Sequence, residues 1–175
     1  MMFVSLGIGA AIAVALIVVV SLLTGARVTS GPNALVGTTA RAFTATSLDG
    51  RTLRAPWATG HPAVLVFFAS WCGPCRAEMP KIASYLNTHA ESPVIVMGID
   101  ALDARGAAQR FVRVDRIHFP IAFDPSGALT NGQFQFQTVP ETVFVDAHGV
   151  VQDVFFGQIP TARLVKGIKA LRAST

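Results

Sequence analysis

The chain contains 175 residues, which is enough for roughly one globular domain and a short additional segment. Half of the residues are hydrophobic (51%), only 14% are charged and the formal net charge is +4, which excludes an acidic disordered tail, a collagen and a coiled coil. Two cysteines are too few for a multi-disulfide secreted scaffold or for a zinc site made of four thiolates.

The first predicted element is an apolar segment over 3–23, which contains no charged residue, Pro, Asn or Gln. A helix of this length, at about 1.5 Å per residue, spans the hydrocarbon core of a bilayer. We predict a single transmembrane anchor here; the alternative is a cleaved signal peptide with a weak site at Thr24-Gly25-Ala26. Arg27 is the first charged residue and follows the segment, so charge alone does not decide the orientation.

After the anchor we predict a linker over 24–42, rich in Gly, Ser and Thr, and one domain over 43–173. Asp49-Gly50 between two short alternating runs predicts a β-hairpin over 43–53. Continuous apolar runs predict buried strands, and apolar residues at helical spacing predict amphipathic helices. The predicted elements that follow are strands over 63–69, 93–99 and 121–123, helices over 76–89, 104–117 and 160–172, and a hairpin over 142–156.

This order of strands and helices is typical of an α/β fold with a mixed central sheet. In the helix over 104–117, Phe111, Val114 and Ile117 are predicted to face the core. The same helix carries a basic face, which predicts either a solvated surface or a contact with anionic lipid headgroups; its residues are Arg105, Arg110, Arg113 and Arg116. No nucleic-acid motif is present, and we predict no nucleic-acid partner.

The stretch Trp71-Cys72-Gly73-Pro74-Cys75 lies where a predicted buried strand ends and an amphipathic helix begins. Side chains three residues apart in a first helical turn are neighbours, close enough for a disulfide. Unpaired N–H groups and the positive end of the helix dipole stabilise a thiolate at this point. We therefore predict Cys72 as the exposed nucleophile that forms a mixed disulfide and Cys75 as the thiol that resolves it.

Three other interpretations of the two cysteines stay open. A static disulfide across three residues gains little loop entropy, and half of a zinc site requires two further ligands. The four histidines show no paired spacing that would supply them. Two inert buried thiols would leave the Gly73-Pro74 pair at a strand–helix junction unexplained. We predict no metal and no cofactor.

The Cys motif is similar to the active-site motif of thioredoxin, and this resemblance implies a thioredoxin fold. The stretch over 138–146, Thr-Val-Pro-Glu-Thr-Val-Phe-Val-Asp, resembles the segment that carries the cis-proline in that fold. The resemblance implies that Val139 and Pro140 form a docking edge beside the cysteines, where a substrate segment adds as a short strand. A trans Pro at a strand start is the alternative.

The chain resembles the membrane-anchored TlpA/ResA/DsbE-like thiol–disulfide oxidoreductases more closely than cytosolic thioredoxin. The features that carry this resemblance are the N-terminal hairpin, the extra helix and strand between Cys75 and Pro140, the predicted anchor, and Val66 where thioredoxin has a buried Asp. The resemblance covers about 42–173. It implies a cytoplasmic-membrane protein with a single span and an extracytoplasmic catalytic domain.

Val66 raises the question of which base deprotonates Cys75. The resemblance assigns this role to an acidic residue after the next strand. By position, Asp103 is the best match in this chain and Asp100 is the second. The alternative is that Asp103 is only the N-cap of the following helix. Trp71, Gly73 and Pro74 are expected to contact substrate around Cys72, although Trp71 could serve in packing alone.

The resemblance implies a reductase of partner disulfides, with apocytochrome c as an expected client and a membrane electron donor of the CcdA/DsbD type. Thioredoxin carries Gly-Pro between its cysteines, as this chain does at Gly73-Pro74, and the resemblance predicts a reducing protein; reference potentials run from about −270 mV for thioredoxin to about −120 mV for the oxidant DsbA. Two other functions are considered, a peroxiredoxin-like thiol peroxidase and a non-catalytic binding module. The peroxidase pattern has Pro and Thr or Ser where this chain has Leu65 and Ala69.

Overall fold

A seven-stranded mixed sheet forms the centre of the protein in the computed structural model, which describes residues 34–89 and 93–174. The strands are β1 (Thr44–Ser47), β2 (Thr52–Arg54), β3 (Ala63–Phe68), β4 (Ile95–Ala101), β5 (Ile121–Asp124), β6 (Glu141–Val145) and β7 (Val151–Phe156). Their order across the sheet is β2-β1-β5-β4-β3-β6-β7. Strands β3, β4 and β5 are parallel, whereas the outer pairs are antiparallel.

Three α-helices pack against the sheet, and their residues share a hydrophobic cluster with alternate positions of the strands. They are α1 (Gly73–Thr88), α2 (Arg105–Val114) and α3 (Thr161–Ala173). The intervening strand positions form a second cluster, to which a 3₁₀ turn (Pro56–Thr59) and a π-helical turn (Ala128–Gln133) contribute. Strand β3 is fully buried on both faces, as its unbroken apolar run predicts.

The N-terminal hairpin is present as predicted, with Ala45 opposite Leu53. The extra helix and strand are α2 and β5, and β5 joins the hairpin to the parallel strands. The predicted anchor over 3–23 and most of the predicted linker lie outside the described residues. Within residues 34–89 and 93–174, no helix combines the length and the hydrophobicity that a bilayer-spanning segment requires.

The structure differs from the sequence prediction in the bounds of several elements. Residues 37–40, predicted as the end of a linker, pack on the sheet: Thr39 pairs with Val150, and Ala40 is buried. Helix α1 begins at Gly73 rather than at 76, and β4 extends to Ala101. The π-helical turn over 128–133 was not predicted from the sequence.

Val114, predicted to face the core, is 74% exposed, whereas Phe111 and Ile117 are buried as expected. Helix α2 ends at Val114, and Arg116 has a positive φ of 51°, so the chain turns before it reaches Ile117. Ile117 therefore enters the core from outside the helix, while Val114, the last helical residue, lines a surface groove.

Candidate active site

The two cysteines lie at the junction between β3 and α1. Cys72 is the N-cap of α1, with extended backbone angles, and its Sγ accepts a hydrogen bond from the N–H of Cys75 at 3.1 Å. Pro74 occupies the first turn, where its missing N–H costs no helical hydrogen bond. The buried strand and the start of the helix together fix the position of the pair.

Cys72 and Cys75 form a disulfide, with their Cα atoms 5.3 Å apart. Cys75 is completely buried and Cys72 keeps 5% of its surface exposed. The order of access agrees with the predicted roles, but Cys72 is far less exposed than the sequence prediction implied. Only a segment that approaches the helix start closely can reach its sulfur.

Trp71 precedes the pair and is 63% exposed. Its indole N–H points at the carbonyl oxygen of Leu102, 3.5 Å away in the loop between β4 and α2. The large exposed ring is therefore not part of the hydrophobic core, and packing in the core does not account for it.

The predicted docking edge lies at the same end of the sheet. The Val139–Pro140 peptide bond is cis, and Glu141 pairs with Phe67 at the end of β3 that leads to the cysteines. The carbonyl of Pro140 accepts a hydrogen bond from Gly157, whereas the N–H of Val139 has no acceptor among the described residues. A free N–H at this point can pair with the backbone of a substrate segment.

Asp103 connects the loop after β4 to the loop that carries the cysteines. Its Oδ2 accepts a hydrogen bond from the N–H of Ser70 at 2.5 Å, and its Oδ1 accepts one from the N–H of Ala104 at 2.6 Å. The N-cap of α2 is Ala104, with no side-chain cap, so Asp103 is not the N-cap that was considered as an alternative. Its carboxylate instead holds the backbone two residues before Cys72.

Asp100 is fully buried at the C-terminal end of β4, paired in register with Phe68. Neither of its oxygens has a hydrogen-bond donor among the described residues. Burial raises the pKa of Asp100 to about 8; the nearby Asp103 raises it further by its charge and by accepting a hydrogen bond from the protonated form. With a pKa of about 8, Asp100 is mostly protonated at pH 7.

Glu78 was not identified from the sequence. It lies on α1 one turn after Cys75, is buried, and accepts a hydrogen bond through Oε1 from the N–H of Ile159 at 2.5 Å. Its Oε2 has no donor among the described residues. Burial raises the pKa of Glu78 to about 7, against the opposing effects of the Ile159 N–H and the Lys81 charge. The spacing of three residues from Cys75 was the signal that could have found it.

Glu141 is a third buried carboxyl at this end of the sheet, directly after Pro140. Its Oε2 accepts a hydrogen bond from the N–H of Gln137 at 3.0 Å, and its Oε1 has no donor among the described residues. Burial raises the pKa of Glu141 above its usual value. The cysteine helix, the neighbouring strand and the cis-proline segment therefore each carry a buried carboxyl whose pKa burial raises.

The two positions that carry the Pro and the hydroxyl in the peroxidase pattern are apolar in this chain. Leu65 and Ala69, which occupy the positions of the peroxidase pattern, are both fully buried. The arrangement can instead perform thiol–disulfide exchange, since it joins a sulfur that a closely docked segment can reach, a fully buried partner sulfur, a backbone docking edge and buried carboxyls.

Residues 36–154, more than half of the chain, match the AhpC/TSA family. The chain is similar to the thiol-disulfide oxidoreductase ResA of Bacillus cereus, with 28% identity over 123 residues that cover 70% of each protein.

Two solved structures are also similar. One is dsbF of MTB in its mixed oxidised and reduced forms, with 34% identity, a TM-score of 0.66, and 74% of this chain and 94% of that chain covered. The other is a secreted Mycobacterium tuberculosis disulfide oxidoreductase homologous to E. coli DsbE, with 28% identity, a TM-score of 0.65, and coverage of 74% and 96%. These similarities confirm the predicted thioredoxin fold and the predicted class of enzyme.

Proposed function

The chain belongs to the AhpC/TSA family and is a thiol–disulfide oxidoreductase of the ResA and DsbE type, and from this premise we propose that it reduces disulfides in partner proteins. The observation that carries the proposal is the Cys72–Cys75 disulfide at the start of α1, with the first sulfur more accessible than the second. Gly73-Pro74 supports the reducing direction, since this pair is the one thioredoxin carries.

In the proposed cycle the enzyme starts as the dithiol. The Cys72 thiolate attacks one sulfur of the substrate disulfide, forms a mixed disulfide and releases the other substrate sulfur as a thiolate. The Cys75 thiolate then attacks the Cys72 Sγ, which releases the second substrate sulfur and leaves the enzyme disulfide. Two electrons pass to the substrate, and the N–H of Cys75 stabilises the Cys72 thiolate before attack.

We propose that the substrate segment docks against the Val139–Pro140 edge. The free N–H of Val139 supports this role, because an extended segment can accept it as its first backbone hydrogen bond. Trp71, Gly73 and Pro74 are proposed to contact the segment around the reacting sulfur; all three are exposed, which supports their access to a partner.

A carboxyl is proposed to accept the proton of Cys75. Asp103 is the first sequence candidate, and its carboxylate binds the N–H of Ser70, while Glu78 is the buried alternative. Asp100, the second sequence candidate, has a pKa of about 8 and so retains its own proton at pH 7. The pKa of Glu78, raised to about 7, matches the requirement that a proton acceptor be poised near the working pH.

For the physiological setting, we propose an extracytoplasmic domain over 43–173, tethered to the cytoplasmic membrane by the apolar segment over 3–23 through a linker over 24–42. Support comes from the sequence of that segment and from the similarity to ResA. The proposed client is a protein with an accessible disulfide, such as apocytochrome c with its haem-attachment cysteines. The proposed electron source is a membrane donor of the CcdA/DsbD type.

Insulin reduction by the full chain in neutral detergent tests the reductase. The wild type should turn over with a dithiol reductant, and Cys72→Ala should lose turnover. Cys75→Ser is the matched variant, because it retains the attacking sulfur and should accumulate a mixed disulfide with the client. Turnover that survives Cys72→Ala would refute the proposal. Peroxide consumption without insulin reduction would assign the pair to a thiol peroxidase instead.

A further inference from the structure

Of the four large hydrophobic side chains that are exposed in the described residues, Trp71 adjoins Cys72, Leu102 contacts Trp71, and Val114 lines a groove that reaches Ser70. Trp71 is 63% exposed, Leu102 44% and Val114 74%; the fourth, Val36, lies in the N-terminal segment. Trp71 contacts the Leu102 carbonyl. Exposed apolar surface concentrated around a reactive centre marks a place where a partner binds.

Leu102 is held outward by an unfavourable backbone conformation. Its φ is +52°, in the left-handed region that non-glycine residues seldom adopt. The N–H of Leu102 bonds to the carbonyl of Asp124, which fixes this loop against β5. The chain therefore retains a strained and solvent-facing leucine at this position, which is a pattern typical of functional surfaces.

A groove of about 520 Å³ begins at Ser70, two residues before Cys72, and runs between α1 and α2. Its charged lining consists of Arg76, Arg110 and a single acidic residue, Asp115; Phe111 and Val114 supply its apolar surface. The Nε of Arg76 donates to the Ser70 carbonyl at 2.9 Å, so this guanidinium is held beside the cysteine loop. Neither arginine has a carboxylate within salt-bridge distance among the described residues.

The four arginines predicted as one basic face do not act alike. Arg105 donates to the carbonyls of Ser47 and Leu48 and lies 4.2 Å from the ring centroid of Phe123, so it ties α2 to the hairpin. Arg113 and Arg116 border a different groove, against the hairpin. Arg110 alone of the four faces the groove that starts at the cysteines.

We propose that this groove binds the client segment that flanks the target cysteine, and that it selects a segment with an apolar residue and an acidic side chain. Arg76 and Arg110 complement the acidic group, and the exposed Val114 accepts the apolar one. The inference rests on the proposed reductase function and assigns its substrate preference. The groove lies on the α2 side of Cys72, so it adds to the Val139–Pro140 edge a second place of contact.

The test uses the reduced full chain in neutral detergent micelles, in single turnover with two disulfide peptides that differ only in the flank, Leu-Asp-Glu or Leu-Lys-Lys. Hydroxyethyl disulfide serves as a small neutral substrate. The wild type should reduce the acidic peptide about fivefold to tenfold faster than the basic one at low salt, with the preference declining as salt rises. Arg110→Glu should bring the ratio to about one or below it.

Arg113→Glu is the matched control, because it makes the same charge change on the same helix outside the groove, and it should keep the ratio. Val114→Ser should slow both peptides about threefold and leave the ratio unchanged. Hydroxyethyl disulfide should be reduced equally by all variants. The substituted side chains are exposed, so the variants should fold.

If the wild type reduces the two peptides at nearly equal rates, or if Arg110→Glu and Arg113→Glu have equal effects, the proposed role of the groove is wrong. The proposed reductase function would still stand. An effect of Arg110→Glu that appears only in phosphatidylglycerol vesicles, and not in micelles, would assign the arginine to a lipid surface and would also overturn it. Failure to reduce any of the three disulfides, hydroxyethyl disulfide included, would instead overturn the proposed function, and this inference with it.

Discussion

Buried carboxyls occur in two settings in this protein. At the ends of β5 and β6, Asp124 and Asp146 are surrounded by donors: Asp124 accepts from the N–H groups of Leu129 and Thr130 and from the Thr130 hydroxyl. Asp146 accepts from His148, Val150 and the Gln152 side chain. Around the cysteines, Glu78, Asp100 and Glu141 are equally buried, yet each has at least one oxygen without a donor among the described residues.

The comparison shows that burial alone does not assign a role to a carboxyl. Where backbone N–H groups donate hydrogen bonds to the ionised carboxylate, the side chain fixes a turn and contributes to stability. Where donors are absent, the ionised form is disfavoured, the pKa rises and the group can exchange a proton. The protein places the first kind at turns and the second kind beside its redox pair.

Among variants of these carboxyls, we expect Asp124→Ala to cause the largest loss in the free energy of unfolding. The change leaves two N–H groups and a hydroxyl without their acceptor inside the protein, and we expect a loss of about 3 to 5 kcal/mol in the free energy of unfolding, measured in urea. Asp115→Ala is the control, since Asp115 is only half-buried, and it should cost less than about 0.5 kcal/mol. A loss below about 1 kcal/mol for Asp124→Ala would contradict the structural role.

Asp100→Asn should raise the free energy of unfolding, whereas Asp124→Ala lowers it. The pKa of Asp100 is about 8 in the folded protein against an ordinary value of 3.8, so the unfolded chain releases this proton first as pH rises. Stability should therefore fall between about pH 4 and pH 8, by at most about 1.4 kcal/mol per pH unit from this group.

Asn cannot ionise, so the free energy of unfolding of the variant should match that of the wild type near pH 4 and exceed it by several kcal/mol at pH 9. Glu78 and Glu141, whose pKa values are also raised, should leave a smaller slope in the variant. Urea unfolding across this pH range is the measurement. Identical slopes in both proteins would show that Asp100 is not a protonated acid in the folded state.

Glu78→Gln should give the smallest change in free energy but a visible change in rate. The amide retains the acceptor for the Ile159 N–H and removes the proton acceptor, so we expect resolution of the mixed disulfide to slow about tenfold to a hundredfold at pH 8. The inflection near pH 7 in the rate should disappear, because the group with a pKa of about 7 is gone.

Asp103→Asn is the comparison variant for this experiment. Both oxygens of Asp103 already accept backbone hydrogen bonds, so we expect a smaller loss of rate than for Glu78→Gln. A Cys75 titration and reduction rate unchanged by Asp103→Asn would exclude it as the base. A loss confined to Asp103→Asn would return that role to the residue predicted from the sequence.

The sequence predicts the order of strands and helices well, because local patterns determine it. The apolar run of β3, the Asp49-Gly50 turn and the spacing of Leu164, Ile168 and Leu171 all act within a few residues, and the structure confirms each of them. The first and last residues of the elements were predicted less accurately. Helix α1 starts at Gly73, where Gly-Pro-Cys shows no apolar periodicity, and Thr39 joins the sheet only through Val150, far along the chain.

The cysteine junction and the cis-proline segment were accessible from the sequence because each is a short motif. The carboxyls were harder to interpret, since a Glu in an amphipathic helix usually marks its solvated face. Glu78 is buried because its partner, Ile159, arrives from 81 residues away. Asp100 lies one residue beyond the strand that apolar content predicted, and only the parallel register with Phe68 reveals that it is inside.

The hydrogen bond from Ile159 to Glu78 also provides a spectroscopic reporter. The amide nitrogen of Ile159 lies 2.5 Å from an oxygen of a carboxyl that titrates near neutral pH and sits one helical turn from Cys75. Its chemical shift in a nitrogen-15 spectrum will move with the charge on that carboxyl, in a part of the chain that holds no cysteine. Titrating this single resonance in the oxidised and reduced protein would reveal how strongly electron transfer and proton transfer are coupled.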